Sequence, residues 1–279
     1  MKARSIPVKT IHLFPKLNRL LIDLLKSLSP EDWNKSTIAP LWTVKDIVAH
    51  LLDTNIRSIS AADHYEGKAA PHINSYTGLV NNLNELNAVW VKAMERVSPQ
   101  QLIRMLEATN KLYVNYLVSL DPFSPARYSV AWAGEEQSAN WFHIAREYTE
   151  KWHHQQQIRD VVNQPGLIIN ELFYPCMDTF LRGLPYAYRN ETSPEGTIVK
   201  ISISGDAGGE WYLCRSSNKW ELKKNSLKKY HNALVVISPD TAWKVFTKGI
   251  RPEQAMERST LEGDSFLAGR LFYLVAVMA

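Results

Sequence analysis

Residues 143–159 read HIAREYTEKWHHQQQIR, and this stretch predicts a long helix that Pro165-Gly166 closes. Four polar side chains in it recur at spacings of four, three and four residues, so they share one helical face. These side chains are His143, Glu147, Glu150 and His154. The stretch therefore predicts a helix, from about residue 138 to 162, that presents two carboxylates and two imidazoles on one side.

Four further helices are predicted upstream, because apolar residues there repeat at the helical period of 3.6 residues. They cover approximately residues 17–28, 43–60, 79–97 and 99–120. Thr43 followed by Asp46 indicates a capping box at the start of the second helix. Ser98-Pro99 indicates an N-cap and a proline at the first position of the fourth helix. The predicted apolar face of the third helix contains Leu83, Leu86, Val89, Trp90 and Met94.

Beyond Pro165 the helical period gives way to short alternating stretches separated by turn residues. Strands are predicted at about 197–204, 210–215, 219–224 and 233–237, and helices at 169–181, after Ser238-Pro239, and at 265–277. The change of period predicts two domains. We expect a helical bundle over residues 1–166, followed by a smaller α+β domain over residues 167–279.

Composition excludes several classes of protein. The chain has 279 residues, of which 45% are hydrophobic and 22% charged, so it is neither disordered nor fibrous. The net charge is only +4, and the densest basic run, Lys219 to Lys229, is typical of a solvated strand face. We therefore expect no nucleic-acid partner. Without a long apolar run or a signal peptide, we expect a cytoplasmic protein with no membrane contact.

The chain carries two candidate metal ligands on its fifth helix and a third on its second. Glu150 and His154 lie four residues apart and can reach one ion, although exposed pairs of this kind usually have no function. His50 lies between apolar residues, where a buried imidazole needs partners. Its partner could be a backbone carbonyl, Asp46 or Asp53, or it could be the same ion. Two histidines and one carboxylate leave a fourth position open, as in catalytic zinc sites.

Several stretches carry a family resemblance. Residues 40–52 read PLWTVKDIVAHLL, residues 131–135 read AWAGE, and residues 146–159 contain the predicted ligand pair. In the second half, SGDAGGEW at 204–211 and DTAW at 240–243 continue the pattern. The chain thereby resembles the DinB-like superfamily, and more closely the mycothiol-dependent maleylpyruvate isomerase group. The resemblance implies a DinB-like four-helix bundle followed by a sterol carrier protein-like α+β domain.

The resemblance also implies a ligand set. In that group, one histidine of the second helix and a Glu-x-x-x-His pair of the later helix bind one divalent metal. His50, Glu150 and His154 stand at those positions in this sequence. Glu147 and His153 are the alternative ligands if the register differs. Zinc is the metal that this ligand set favours.

The expected chemistry uses a small thiol, because zinc deprotonates a coordinated thiol. Cys176 and Cys214 lie far along the chain from the ligands and cannot form a four-cysteine site, so we expect a low-molecular-weight thiol from outside. The resemblance implies isomerisation of a small unsaturated acid, or thiol transfer to an electrophile. Two alternatives stay open, a hydrolase that uses metal-activated water, and a non-catalytic binding or regulatory protein whose C-terminal domain binds an apolar ligand or a partner.

Two further residues are candidate contacts for the thiol cofactor or the substrate. Trp90 lies on the third helix, and Arg57 lies two turns beyond His50 on the same face of the second helix. An arginine there could clamp a carboxylate with two hydrogen bonds. The alternatives are that Trp90 belongs to the core and that Arg57 forms an exposed ion pair.

Overall fold

The computed structural model describes residues 5–65, 73, 75–225 and 230–278. These residues separate into two compact units, the first helical and the second carrying a β-sheet. The expected order of a helical part and a smaller sheet-containing part is therefore confirmed. Two segments differ from the predicted division, because Tyr128–Ser138 belongs to the second unit together with Leu167–Val277, and Met278 belongs to the first. The end of the basic run, residues 226–229, lies outside the described residues.

Five long helices form the first unit, and their bounds agree with the prediction to within about one helical turn. They are α1 (Phe14–Ser27), α2 (Val44–Ala62), α3 (Tyr76–Met94), α4 (Pro99–Ser119) and α5 (Asn140–Val161).

Apolar side chains of α1, α2 and α4 form the core of this unit. Its buried members include Leu21 and Leu25 of α1, Ile47 and Leu51 of α2, and Leu102 and Leu106 of α4. Burial of each such side chain stabilises the fold by about 1.5–3 kcal/mol. This core holds α2, the helix that carries His50, against its neighbours.

The apolar face of α3 is narrower than predicted. The structure exposes 52% of Leu86 and 65% of Val89, so these two apolar residues lie outside the buried stripe of α3. Trp90 and Met94 do pack against the core of the unit. Among the described residues, α3 packs mainly against α2, so one stripe of its side chains is in contact with the core and the other side chains are more exposed.

The helix α5 is polar and yet almost wholly buried. Its buried residues include His143, Glu147 and His154 of the predicted face, together with one further histidine, three glutamines, a lysine and an arginine. A helix with this composition would ordinarily lie at the surface, because buried polar groups are costly unless they are hydrogen-bonded. Its side chains therefore need partners from the surrounding helices.

A five-stranded sheet forms the second unit. Its strands are β1 (Ile198–Ile203), β2 (Gly209–Ser216), β3 (Lys219–Lys223), β4 (Ala233–Ile237) and β5 (Thr260–Gly263). They lie in the order β3-β2-β1-β4-β5, with β1 and β4 parallel and the other neighbours antiparallel. The accompanying helices are α6 (Asn170–Leu181), α7 (Leu184–Ala187), α8 (Pro239–Phe246), α9 (Pro252–Glu257) and α10 (Ser265–Arg270).

Two features of this unit depart from the prediction. The strand β5 was not expected, because it is an exposed edge strand with no apolar alternation. It ends at Gly263, whose φ is +75° and where a Cβ atom would lie 2.2 Å from the Asn232 carbonyl oxygen. The predicted helix to residue 277 is too long. The helix α10 ends at Arg270 and is followed by a 3₁₀ turn, Leu271–Tyr273. The segment beyond this turn is tied to the core, because the Ala276 amide donates a hydrogen bond to the Phe246 carbonyl at 2.9 Å.

The helices that the structure describes include none with the length and apolarity needed to cross a membrane.

The predicted capping box of α2 is confirmed and generates a prediction. The Thr43 amide donates to the Asp46 carboxylate at 2.9 Å, and the Asp46 amide donates to the Thr43 hydroxyl at 3.3 Å. We expect Thr43→Ala to lower the free energy of unfolding by about 1 kcal/mol, because it leaves amide groups of the first turn without acceptors. Thr43→Ser keeps the hydroxyl and is expected to unfold like the wild type in urea. Equal midpoints for the alanine variant and the wild type would contradict this role.

Candidate metal centre

The three predicted ligands converge in the first unit. His50 lies in the middle of α2, and Glu150 and His154 lie one turn apart on α5. One ligand atom from each residue lies within 4.8 Å of the other two. The His154 Nε2 atom and the Glu150 Oε2 atom are 3.6 Å apart. The triad is therefore a possible metal site built by two helices.

The imidazole of His154 is held with one nitrogen toward Glu150. Its Nδ1 atom lies 2.9 Å from the Gln157 side-chain oxygen, which can only accept, so Nδ1 carries the proton. The Nε2 atom of the same ring faces the Glu150 carboxylate. A histidine that ligates a metal usually has its other nitrogen fixed in this way. Gln157 follows His154 by three residues, a spacing that brings side chains together on a helix.

His50 contributes a buried imidazole. The residue is 8% exposed, and its Nδ1 atom has no hydrogen-bond partner among the described residues. Burial, followed by the neighbouring His154, lowers the pKa of His50 well below its usual value. His50 therefore stays neutral at pH 7, which is the state that binds a metal. Its ring centroid lies 4.7 Å from that of His154 and 4.8 Å from that of Trp42.

Glu150 is ionised at neutral pH. Burial opposes its ionisation, but the neighbouring imidazoles of His154 and His153 outweigh that effect, so the pKa of the Glu150 carboxyl lies well below its usual range. A negative carboxylate beside two imidazoles suits a divalent cation. Ligand atoms on one tetrahedral zinc ion lie about 3.4 Å apart, given bonds of about 2.1 Å. The Glu150–His154 distance already fits, and a small inward movement of His50 would complete the set.

The comparisons with known proteins identify the family. The family model of the mycothiol maleylpyruvate isomerase N-terminal domain matches residues 14–159 of this chain. The chain belongs to this family. Its relationship was expected from the sequence resemblance and is confirmed.

Solved structures agree at the level of the fold. A crystal structure of the mycothiol-dependent maleylpyruvate isomerase matches with a TM-score of 0.52 at 11% identity, covering 90% of this chain and 92% of that one. A mutant form of that enzyme matches with the same score and coverage at 10% identity. Comparison with curated proteins finds no match. The similarity in structure therefore supports the two-part layout of a maleylpyruvate isomerase-like fold.

In this member of the family, the alternative ligands Glu147 and His153 are engaged elsewhere. Glu147 accepts a hydrogen bond from the Tyr113 hydroxyl at 2.7 Å and a short one from Arg146. The His153 Nδ1 atom donates to the Thr149 carbonyl at 2.8 Å. Neither residue belongs to the cluster of atoms around His50 and Glu150. Glu147 instead forms part of a second buried group, one turn along α5.

Arg146 occupies the centre of that second group. Its guanidinium lies 3.1 Å from the His143 Nδ1 atom and also contacts Glu147, so it takes the place that a cation would have between the two. Burial is the largest influence on His143 and lowers its pKa to about 4. The four polar residues that the sequence places on one face of α5 are thus divided between two sites. The pair 150 and 154 faces His50, and the pair 143 and 147 binds an internal arginine.

The two candidate cofactor contacts are Trp90, on α3, and Arg57, on α2. The Trp90 indole donates a hydrogen bond to the carbonyl of Ala49 at 2.8 Å, and the ring packs on the core. Arg57 forms an ion pair with Asp53 at 2.8 Å, with half of its side chain exposed. Both residues therefore have structural partners, and their roles toward a thiol cofactor stay predictions.

Two residues of the centre carried little signal in the sequence. Trp42 precedes the cap of α2, and its ring stacks beside both His50 and His154, with centroids 4.8 and 5.6 Å away. Gln157 orients His154. The spacing of three residues could have indicated Gln157, but only the folded chain brings Trp42 to the site.

A groove of about 530 Å³ lies elsewhere in the unit, between α1 and α4. It is lined by polar and charged side chains of those two helices, and none of the three converging ligands contributes to it. This groove is therefore separate from the triad.

The buried histidines generate a prediction about stability. His50, His143 and His153 have depressed pKa values in the fold, mainly through burial, with values of about 4 for His143 and about 3 for His153. Below about pH 6.5 the unfolded chain takes up protons that the folded chain does not. We expect the free energy of unfolding, measured with a chelator present, to fall from pH 6.5 to pH 4, with an uptake of about one proton per buried histidine.

The carboxylates act in the same direction at lower pH. Glu147 and Glu150 have lowered pKa values, so the stability that they contribute is lost as the pH falls below about 4.5.

His143→Asn is expected to reduce the proton uptake on unfolding by about one. A free energy of unfolding that stays constant between pH 7 and pH 5 would contradict the neutral state of these imidazoles.

Proposed function

We propose that this protein is a divalent-metal enzyme that uses a low-molecular-weight thiol, with zinc as the metal and mycothiol as the thiol. The reaction is the cis–trans isomerisation of a small unsaturated acid such as maleylpyruvate, or the transfer of the thiol to a related electrophile. The observation that carries the proposal is the convergence of His50, Glu150 and His154 within 4.8 Å. Membership of the maleylpyruvate isomerase family supports the choice of thiol and reaction.

The three residues suit an open metal site. Two imidazoles and one carboxylate provide three protein ligands, and catalytic zinc sites keep the fourth position for water or substrate. A bound zinc ion would keep a coordinated thiol deprotonated, and so nucleophilic, at neutral pH. Gln157 would fix the ring of His154, and Trp42 would form an apolar wall beside both imidazoles.

Isomerisation about a double bond requires a nucleophile that adds and later leaves. Addition turns the double bond into a single bond, rotation follows, and loss of the same nucleophile restores the double bond in the trans form. The proton balance is zero over the cycle, so the residues around the site need only hold the acid and the thiol in place. We propose Arg57 as the partner of a substrate carboxylate and Trp90 as a contact for the thiol cofactor.

We extend the proposal to the architecture. The helical unit is assigned as a DinB-like four-helix bundle, and the sheet-containing unit as a sterol carrier protein-like domain. The mixed sheet order β3-β2-β1-β4-β5 supports the second assignment. We also retain residues 1–166 and 167–279 as the limits of the two domains in sequence.

The test is turnover by the purified protein. We expect zinc-loaded protein with mycothiol to convert maleylpyruvate to its trans isomer, and we expect the rate to fall to background when zinc is chelated or the thiol is omitted. His154→Ala is expected to lose most of the bound zinc and at least about 10²-fold in kcat/KM, because it removes one of three ligands. The rate is followed by the change in ultraviolet absorbance of the conjugated acid.

His12→Ala is the matched control, since His12 is an exposed histidine of the same unit and is expected to keep both zinc and activity. If the zinc-loaded wild type stays at the background rate with a panel of thiols and unsaturated acids, the enzyme proposal fails. The non-catalytic reading, a metal-containing protein that binds a ligand or a partner, would then be favoured.

A further inference from the structure

Asn55 connects the two helices that carry the proposed metal ligands. It lies on α2, five residues after His50, and is fully buried. Its side-chain oxygen accepts a hydrogen bond at 2.7 Å from the ammonium of Lys151, the residue that follows Glu150 on α5. The same amide donates to the Asn110 side-chain oxygen at 3.0 Å and to the Thr109 hydroxyl at 2.9 Å, both on α4. One side chain thus joins three helices.

Lys151 is an unusual partner for such a link. Only 2% of the residue is exposed, and the hydrogen bond described for its ammonium goes to a neutral amide. The ammonium also lies 4.6 Å from the centre of the Tyr113 ring, within the range of a cation–π interaction. Burial of a lysine is costly, and the remedy is usually a carboxylate. An apolar side chain would fill this space at lower cost, so stability alone does not explain the lysine.

The position of the Asn55–Lys151 hydrogen bond explains the buried lysine better. The metal ligands come from two helices, so the site exists only if α2 and α5 keep one register. Sites of this kind tolerate displacements of about 0.5 Å. Apolar packing between helices permits small sliding movements, whereas a buried polar contact has a fixed partner and direction and can specify register. The Asn55–Lys151 bond lies next to Glu150 in sequence and about one turn from His50.

We propose that Asn55, through its hydrogen bond to Lys151, is a positioning residue for the metal site. It holds α5 against α2 so that Glu150 and His154 meet His50. The inference rests on the proposed function, because it presumes that the triad binds a metal. The bond to α4 has a different role, since it adds stability without fixing the ligands relative to one another.

The test uses cobalt(II) in place of zinc in the full-length protein, since the visible spectrum of cobalt reports on its ligands and geometry. We expect Asn55→Leu to weaken cobalt binding roughly tenfold or more, as is usual for residues that orient metal ligands, and to change the spectrum of the bound ion. Asn55→Asp keeps an acceptor for Lys151 and is expected to restore both the affinity and the spectrum. Lys151→Met removes the donor and is expected to behave like Asn55→Leu.

Asn110→Leu is the matched control. It removes one of the two partners of Asn55 on α4 and leaves the bond to Lys151, so it is expected to lower the free energy of unfolding while cobalt binds as in the wild type. If Asn55→Leu does not fold, as judged by circular dichroism, Lys151→Met decides the same question from the other side of the bond.

The outcomes separate this inference from the proposed function. Wild-type cobalt affinity and spectrum in folded Asn55→Leu or Lys151→Met would overturn the positioning role and leave the metal site intact. Equal weakening by Asn110→Leu would also overturn it, because the effect would then follow stability alone. A wild-type protein that binds no cobalt would overturn the proposed metal site itself, and the inference with it.

Discussion

The burial of the polar face of α5 is the constraint on which the rest of the first unit depends. Each buried polar group needs a partner, and the helices around α5 provide them: Tyr113 for Glu147 and Asn55 for Lys151. His154 finds its partner on α5 itself, in Gln157. The Nδ1 atom of His50 lacks a partner among the described residues. Several polar residues of α5 thus have partners, whereas the side-chain amide of Gln155 has none among the described residues. The triad is the place where ligand atoms from two helices converge.

Electrostatics give the triad its chemical state. Burial keeps His50 neutral, and its neighbours keep Glu150 ionised, so both groups are in the forms that a divalent cation requires. The same burial makes the fold sensitive to acid, because at low pH the unfolded chain binds protons that these groups do not bind in the folded chain. A binding-competent site and a loss of stability at low pH are thus two consequences of one arrangement. Proteins commonly accept such costs at functional sites.

The sequence predicted the features that depend on local spacing. The capping box of Thr43 and Asp46, the bounds of the helices, and the shared face of Glu150 and His154 all follow from residues a few positions apart. Several features that depend on tertiary contacts were missed. Leu86 is exposed because α3 packs through a narrow stripe, and the edge strand β5 has no apolar alternation to indicate it. The Asn55–Lys151 bond joins residues 96 positions apart, so no local pattern could reveal it.

The most direct measurement of the central claim is X-ray absorption at the zinc edge of the zinc-loaded protein without added thiol. We expect a first shell of nitrogen and oxygen at about 2.0–2.2 Å, with the outer-shell signal of two imidazoles and no sulfur at about 2.3 Å. Replacement of His50 by alanine should remove one imidazole from that signal. A first shell that contains cysteine sulfur, or an imidazole count that His50→Ala leaves unchanged, would contradict the convergence of α2 and α5 on one ion.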